Sequence, residues 1–242
     1  MVKADLKSRH FRKLLGPLWW LFEPLMMSFV YLFLTTILLK SSSGSNQLLF
    51  ILIAVISWRW FSKSVDESPA MLTSYGSVLS RTNLPLLPFV YVSTIVNLIY
   101  FLAGLSVVFA IILLFGVHIT SNIIYLPFVM LVQISFIIGV TSILARAGVF
   151  LKDLVSATWV FTSIWFYLSP GIYSESLIPA GWKFYYNLNP WATILPAYRS
   201  ILLGGDLPDF ARLAIWFGIF LVMAIIGLKI VSRNRGRIYK VL

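Results

Sequence analysis

The chain has no cysteine, which excludes a disulfide framework and any thiolate-bound metal. Histidine is nearly as scarce, with only His10 and His118 present, too few for a histidine metal site. The eight carboxylates, Asp5, Glu23, Asp66, Glu67, Asp153, Glu175, Asp206 and Asp209, are dispersed rather than clustered. No HExxH, GxSxG or comparable grouping occurs, so the residues point to no catalytic site, no metal and no cofactor bound by this chain. A GxxxxGK[ST] loop is also missing, which removes ATP binding in the P-loop manner. Directional work by this protein must draw its energy from a partner or an ion gradient.

Charge is in short supply as well. Charged residues make up 11% of the 242 residues and hydrophobic ones 60%, against roughly a quarter and about half in a soluble domain. That leaves too little polar surface for a water-soluble fold, and an all-α integral membrane protein is expected. The charge present is lopsided, 19 Lys and Arg against 8 Asp and Glu. In a soluble protein this would suggest nucleic acid. In a membrane protein, basic residues gather at the cytoplasmic face and set orientation, so membrane lipid and not nucleic acid is the expected partner of this charge.

What the sequence has in abundance is long apolar runs. Six spans are predicted, over 18–39, 47–73, 88–115, 123–146, 152–168 and 211–231. The first contains 22 residues, about 33 Å of helix, enough to cross the hydrocarbon core. It is too long for the apolar region of a signal peptide and is read as a retained span. Before it, Val2, Leu6, His10 and Leu14 form one i,i+4 row, with Lys3, Lys7, Arg9, Arg12 and Lys13 elsewhere. Residues 1–17 are therefore expected to form an amphipathic interface helix in the cytoplasmic headgroup layer, broken by Gly16 and Pro17.

Two further segments are not ordinary loops. Residues 74–87 place Tyr75, Val78, Leu79, Leu84 and Leu86 in an inner connection with Pro85 and Pro88 at its exit. A helix this short is marginal alone and needs a docking surface. Residues 169–208 combine aromatics with helix punctuation. Pro179 opens one short helix, Asn189 and Pro190 cap and start a second that ends at Gly204 and Gly205, and both are expected to dip back toward the membrane.

Counting cations fixes the orientation. With six spans and an inner N-terminus, inner segments carry Lys3, Lys7, Arg9, Arg12 and Lys13 at the start and Arg81, Arg146 and Lys152 in loops. They also carry Lys229, Arg233, Arg235, Arg237 and Lys240 at the end. Outer segments carry Lys40, Lys183, Arg199 and Arg212. This is a positive-inside pattern with both termini cytoplasmic. A failure of the fifth span to cross would put the basic tail outside.

Arg59 and Lys63 fall inside the second span, where a cation costs roughly 2.5–3.5 kcal/mol at the bilayer centre and normally faces a partner or a wet cavity. With Asp66 and Glu67 they follow at spacings of four, three and one, one polar stripe. It either lines a conduit, with its cations available to a diphosphate or an acidic sugar, or pairs with itself for packing, Lys63 with Glu67. Glu23, near the inner end of the first span, is expected to pair with Arg12 or with a neighbouring span. In the outer segment, Tyr173, Trp182, Tyr185, Tyr186, Trp191 and Tyr198 are candidates for gate or sugar contacts, since a sugar's C–H face stacks on an aromatic ring. The bland reading of these rings is an interfacial belt.

Four segments stand in a telling order: LGPLWWLFEPL at 15–25, RTNLPLLPFVYV at 81–92, FLKDL at 150–154, and SPGIY at 169–173 followed by Asn189–Pro190 and Arg199. In that order they resemble the membrane subunit of the ABC-2 type polysaccharide exporters, the ABC transporters for O-antigen, capsule and teichoic acid. Lys152 stands where that family has Arg. The resemblance covers the whole chain and implies a single permease domain over 1–242 in a bacterial cytoplasmic (inner) membrane, working as a homodimer. It implies two copies of a cytoplasmic P-loop ATPase, which carry the ATP and Mg, and a glycan substrate carried on a polyprenyl diphosphate lipid. It makes 74–87 the coupling helix seated on the ATPase through Val78, Leu79, Arg81 and Leu84. Arg9, Arg12 and Lys13 become candidates to meet the lipid headgroup. The alternatives are an ABC-2 exporter of lipid or drug and, from another class, a membrane-embedded polyprenyl-glycan transferase, which the dispersed carboxylates disfavour. A secondary transporter is disfavoured because no inverted repeat is visible.

Overall fold

The computed structural model of the chain describes residues 19–38, 40, 46–79 and 85–233, without the side chains of Leu38, Ser77 and Val78. The regular elements among the described residues are all helices, with no strand among them. Helix α1 covers Trp19–Phe33 and runs on as a π-helix over Leu34–Leu38. Helix α2 covers Gln47–Ser74, α3 is the short Gly76–Leu79, α4 covers Leu87–Leu114, and α5 covers Leu126–Phe150 behind a 3₁₀ turn at Ser121–Tyr125. Then come α6 at Leu154–Leu168, the small α7 at Lys183–Asn187, α8 at Trp191–Leu202 and α9 at Phe210–Arg233.

Five of these are long and apolar enough to cross a membrane: α1 with its π turn, α2, α4, α5 with its 3₁₀ turn, and α9. The expected fifth span, 152–168, is the 15-residue α6, about 22 Å long against a core of about 30 Å. It rests on α2 through one stripe, Thr158, Thr162 and Phe166, and exposes its remaining faces, Trp159, Val160, Phe161, Ile164 and Tyr167 among them.

Helix α2 is the hub, in contact with α1, α4, α5, α6 and α8. Of its most apolar window 72% is buried, against 17% for that of α1. Lipid tails are as apolar as leucine, so helices in a bilayer associate through close backbone approach and polar contacts rather than a hydrophobic gain. Both devices are present. A Cβ on Gly148 of α5 would lie 2.6 Å from the carbonyl carbon of Pro69 in α2, and one on Gly227 of α9 would lie 2.9 Å from the Ser142 Cβ in α5. Gln133 of α5 donates to the Ser57 carbonyl of α2 at 2.8 Å. Proline at position 69 deprives the Val65 carbonyl of its usual helical donor, and the Ser68 hydroxyl supplies one at 2.7 Å. Gly116 and Gly204, at φ of 64° and 72°, end α4 and α8 in the left-handed conformation that glycine adopts without cost.

Helix α8 runs alongside only part of α2. Its first residue, Trp191, has its ring 4.7 Å from that of Trp58 and 5.2 Å from that of Phe61, roughly halfway along α2. Its last turn, at Arg199, reaches Phe50 near the Gln47 end. Helix α8 therefore starts deep in the bundle and runs back out beside α2. Ten of its twelve residues are buried.

Candidate functional site

The polar stripe of α2 is divided among three neighbours. Arg59 makes a two-pronged ion pair with Glu23 of α1, its two terminal nitrogens each 2.5 Å from a carboxylate oxygen, and its guanidinium sits 5.9 Å from the Trp20 ring. Trp20 in turn stacks on Tyr100 of α4 at 3.7 Å. Asp66 turns toward α6, where the Thr162 hydroxyl donates to it at 2.9 Å. Glu67 turns toward α4 and accepts from Ser93 at 2.5 Å and Asn97 at 3.3 Å. Adjacent on α2, the two carboxylates are served by different neighbouring helices.

Arg59 lies between two openings. Toward α6 is a cleft of about 300 Å³, walled by α1 and α6 and floored by Trp58 and Arg59 of α2, with Tyr31, Ser163 and Tyr167 lining it. The Tyr31 and Tyr167 hydroxyls meet at 3.3 Å across this gap. Toward α4, Lys63 and Asn97 join Arg59 and Trp20 around a small hollow of about 20 Å³, room for about one water molecule. Arg59 remains 17% exposed although it is paired. A guanidinium held by one carboxylate keeps donor capacity for a second anion, and Arg59 lines both openings.

The segment 169–208 is tied together by two polar side chains. Asn189 donates to the Ser169 hydroxyl at 3.0 Å and the Leu168 carbonyl at 3.3 Å. Its own carbonyl oxygen accepts from the Trp165 indole and the Trp191 backbone. It thereby joins the end of α6 to the start of α8. Arg199 donates from Nε to the Phe50 carbonyl at 3.0 Å and from its terminal nitrogens to the Pro170 and Gly171 carbonyls at 2.6 and 2.7 Å. Its guanidinium also covers the Phe50 ring at 3.3 Å. Arg199 is 7% exposed. An arginine guanidinium keeps its charge in a protein, so these carbonyls face a cation. Burial raises the pKa of Tyr173 and Tyr186.

The six candidate aromatics of 169–208 divide by burial. Trp191 and Tyr198 are fully buried and Tyr186 nearly so, Tyr173 is intermediate, and Trp182 and Tyr185 are exposed. Phe184, also exposed, packs edge-on against Tyr185. Trp191 belongs to a central aromatic cluster with Trp58, Phe61 and Phe136, and Tyr198 packs on Phe101.

At the other end of α2, Leu79 is 1% exposed, packed in a second apolar cluster with Met71, Leu72, Leu86 and Val231. Its side chain anchors the connection inward. Arg81 and Leu84, the side chain of Val78, and the N-terminal cations Arg9, Arg12 and Lys13 lie outside the described residues. Among the described residues no group of three His, Asp or Glu side chains is placed to hold a metal ion.

Sequence reasoning counted Arg199 among the outer cations, gave Asn189 a capping role and used both in the family resemblance, but assigned neither side chain its contacts. A signal was available: Arg199 has Leu195, Pro196, Leu202 and Leu203 three and four residues away along the helix, the spacing of one face, so it lies on an apolar side.

The sequence profile of the ABC-2 type transporter family matches residues 1–203. Two O-antigen export system permease proteins RfbA of Klebsiella pneumoniae are each 22% identical over 243 aligned residues, covering 100% of this chain and 93% of theirs. The O-antigen export system permease protein RfbA of Myxococcus xanthus is 28% identical over 213 residues, 86% of this chain and 81% of its own.

Proposed function

Because the chain belongs to the ABC-2 type transporter family, we propose that it forms the membrane path through which an ATP-driven transporter exports a polysaccharide carried on a polyprenyl diphosphate lipid. It is a multi-pass permease subunit, and ATP is hydrolysed on a separate protein. The observation that carries the substrate reading is Arg59, a cation within an apolar bundle, set at the floor of the cleft between α1 and α6. A diphosphate drawn into that cleft meets the guanidinium, with Lys63 one turn along α2. The relatives named as O-antigen export permeases favour a glycan as the cargo behind that headgroup.

The assembly follows from the same surfaces. Helices α1 and α6 expose apolar and aromatic side chains on both flanks of the cleft, Phe22, Phe29, Trp159 and Tyr167 among them. A second copy laid against that flank converts the cleft into an enclosed conduit. In this reading α6 is the sixth crossing, completed on the outer side by the turn at Ser169–Gly171 and by α8. That places both termini in the cytoplasm of a bacterial cell and the basic segments at the inner face. Residues 1–17 lie at that face, where Arg9, Arg12 and Lys13 receive the diphosphate. In the dimer, residues 74–87 of each copy engage one of the two ATPase subunits through Val78, Arg81 and Leu84, with Leu79 fixing the segment to the inner cluster. Of the outer aromatics, Trp182, Tyr185 and Tyr173 are open to stack on the emerging sugar.

A second reading, export of a lipid, is favoured by another feature. Helices α5 and α6 bound a nearly wholly apolar cleft of about 460 Å³ with Val65, Val140, Ile143 and Phe161 on its walls, a surface for an acyl chain. The two readings separate on Arg59→Leu. Glycan export requires this variant to assemble with its ATPase and lose surface polysaccharide by tenfold or more, measured by immunoblot of intact cells. Normal surface glycan in an assembled variant removes the conduit assignment.

A further inference from the structure

Arg199 has no carboxylate in its hydrogen-bonded shell. It holds three backbone carbonyls from two places far apart in sequence, Phe50 of α2 and the Pro170–Gly171 turn that follows α6. Burying a charged group in this way is costly unless every donor is engaged, and a neutral residue would fill the same space more cheaply. The arrangement joins three elements at one point: the Gln47 end of α2, the end of α6, and α8, which carries Arg199 itself.

Helix α2 gives that point its significance. It is one continuous helix of 28 residues, about 42 Å long. Its middle is locked to α5 by the Gln133 bond and by the contact of Gly148 with Pro69. Its Ser74 end leads directly into the segment assigned above to the ATPase. Pro69 interrupts its hydrogen-bond ladder, but the Ser68 hydroxyl bridges the gap and Gly148 of α5 packs against that point, so a displacement at Ser74 is carried along the braced helix to Phe50. Arg199 is what attaches the outer segment to Phe50.

We infer that Arg199 is a positioning residue that couples the outer segment to α2, so that a movement imposed at the inner end of α2 by the ATPase is delivered to the Pro170–Gly171 turn and α8. This rests on the permease reading above and adds to it the path by which the outer segment is driven. A guanidinium suits the task because its donors point in fixed, diverging directions and grip several carbonyls at once, whereas a lysine ammonium offers a single point of charge on a flexible stem.

The chain has no native cysteine, so single cysteines carry a fluorescent probe uniquely. One is placed at the inner end of α2, Thr73→Cys, and one in the outer segment, Phe184→Cys, both at exposed positions. The complex with its ATPase is reconstituted in vesicles and given ATP and Mg. With Arg199 present, both probes respond. In Arg199→Lys the Thr73 probe responds as before and ATP is still hydrolysed, while the Phe184 response and glycan export fall at least fivefold. An undiminished Phe184 response in Arg199→Lys overturns the inference. Parallel loss of both responses overturns it too, since that marks general damage to the fold. If Arg199→Lys does not accumulate, Phe50→Leu removes the ring beneath the guanidinium and keeps the carbonyl, and the Phe184 response should then fall about twofold. No change there also overturns the inference. A Thr73 probe silent to ATP with Arg199 intact instead removes the ATPase-coupling assignment on which the inference stands.

Discussion

Arg59 and Arg199 are both guanidinium groups set inside an apolar helical bundle, and they are held in opposite ways. Arg199 is gripped by three carbonyls and a ring, with 7% of its surface exposed. Arg59 is held by one carboxylate, Glu23, on the helix least embedded among the five long ones, and a cleft opens beside it. Backbone carbonyls cannot leave, so Arg199 is fixed for as long as the chain is folded. A carboxylate on a lightly packed helix can be exchanged for another anion, so Arg59 is available for binding. The surroundings of a buried charge, more than its depth, separate a structural cation from a functional one.

The largest expected effect tests that division directly. Arg199→Ala removes three charge-assisted hydrogen bonds and leaves a cavity, and should cost about 3 kcal/mol or more of stability. Arg59→Ala, losing one partly exposed pair, should cost about 1 kcal/mol. Thermal unfolding of the two variants in one detergent measures the difference. Equal losses, or a larger loss for Arg59→Ala, would break the comparison.

Much of this division was out of reach of the sequence. The long helices were legible because apolar runs of bilayer length have few alternative structures, and the short helices at Lys183–Asn187 and Trp191–Leu202 because Pro179, Asn189 and Pro190 punctuate them. The polar stripe on α2 was legible as an oddity, and pairing of Glu23 with a neighbouring span was among the expectations. What lay hidden was direction. Asp66 and Glu67 are adjacent in sequence, and only the arrangement of neighbouring helices sends one to Thr162 and the other to Ser93 and Asn97. The outer aromatics hid their roles for the same reason: Trp182 and Trp191 belong to one aromatic-rich segment, yet one is 66% exposed and the other fully buried. The motifs that carried the family resemblance, SPGIY, Asn189–Pro190 and Arg199, converge in space on one hydrogen-bonded junction. Pattern reading finds such residues without finding the contacts that explain them.

A smaller effect sharpens the Arg59 side. Glu23→Gln keeps the shape of the pair and removes the competing charge, so the protein should lose no more than about 1 kcal/mol of stability while Arg59 becomes a stronger anion site. Binding of a polyprenyl diphosphate to the purified permease, read by fluorescence titration, should tighten severalfold. Unchanged or weaker binding means that Glu23 does not compete with the substrate for Arg59, and the cation then belongs with Arg199 as a structural one.

The smallest effect on folding is expected at the outer aromatics. Trp182 and Tyr185 project from the bundle, so the double substitution Trp182→Ala, Tyr185→Ala should change stability by no more than about 0.5 kcal/mol each. Because ring-to-sugar contacts are individually weak and tolerant of sequence, export should slow by only a few fold, seen as delayed appearance of surface glycan after induction. Trp191→Ala, from the same segment, should instead cost about 3–5 kcal/mol, as loss of a buried aromatic does, and should abolish export through the fold. If the exposed pair proves as damaging to stability as Trp191, those rings are covered in the assembled transporter and act as packing, and the sugar-stacking assignment passes to Tyr173 alone.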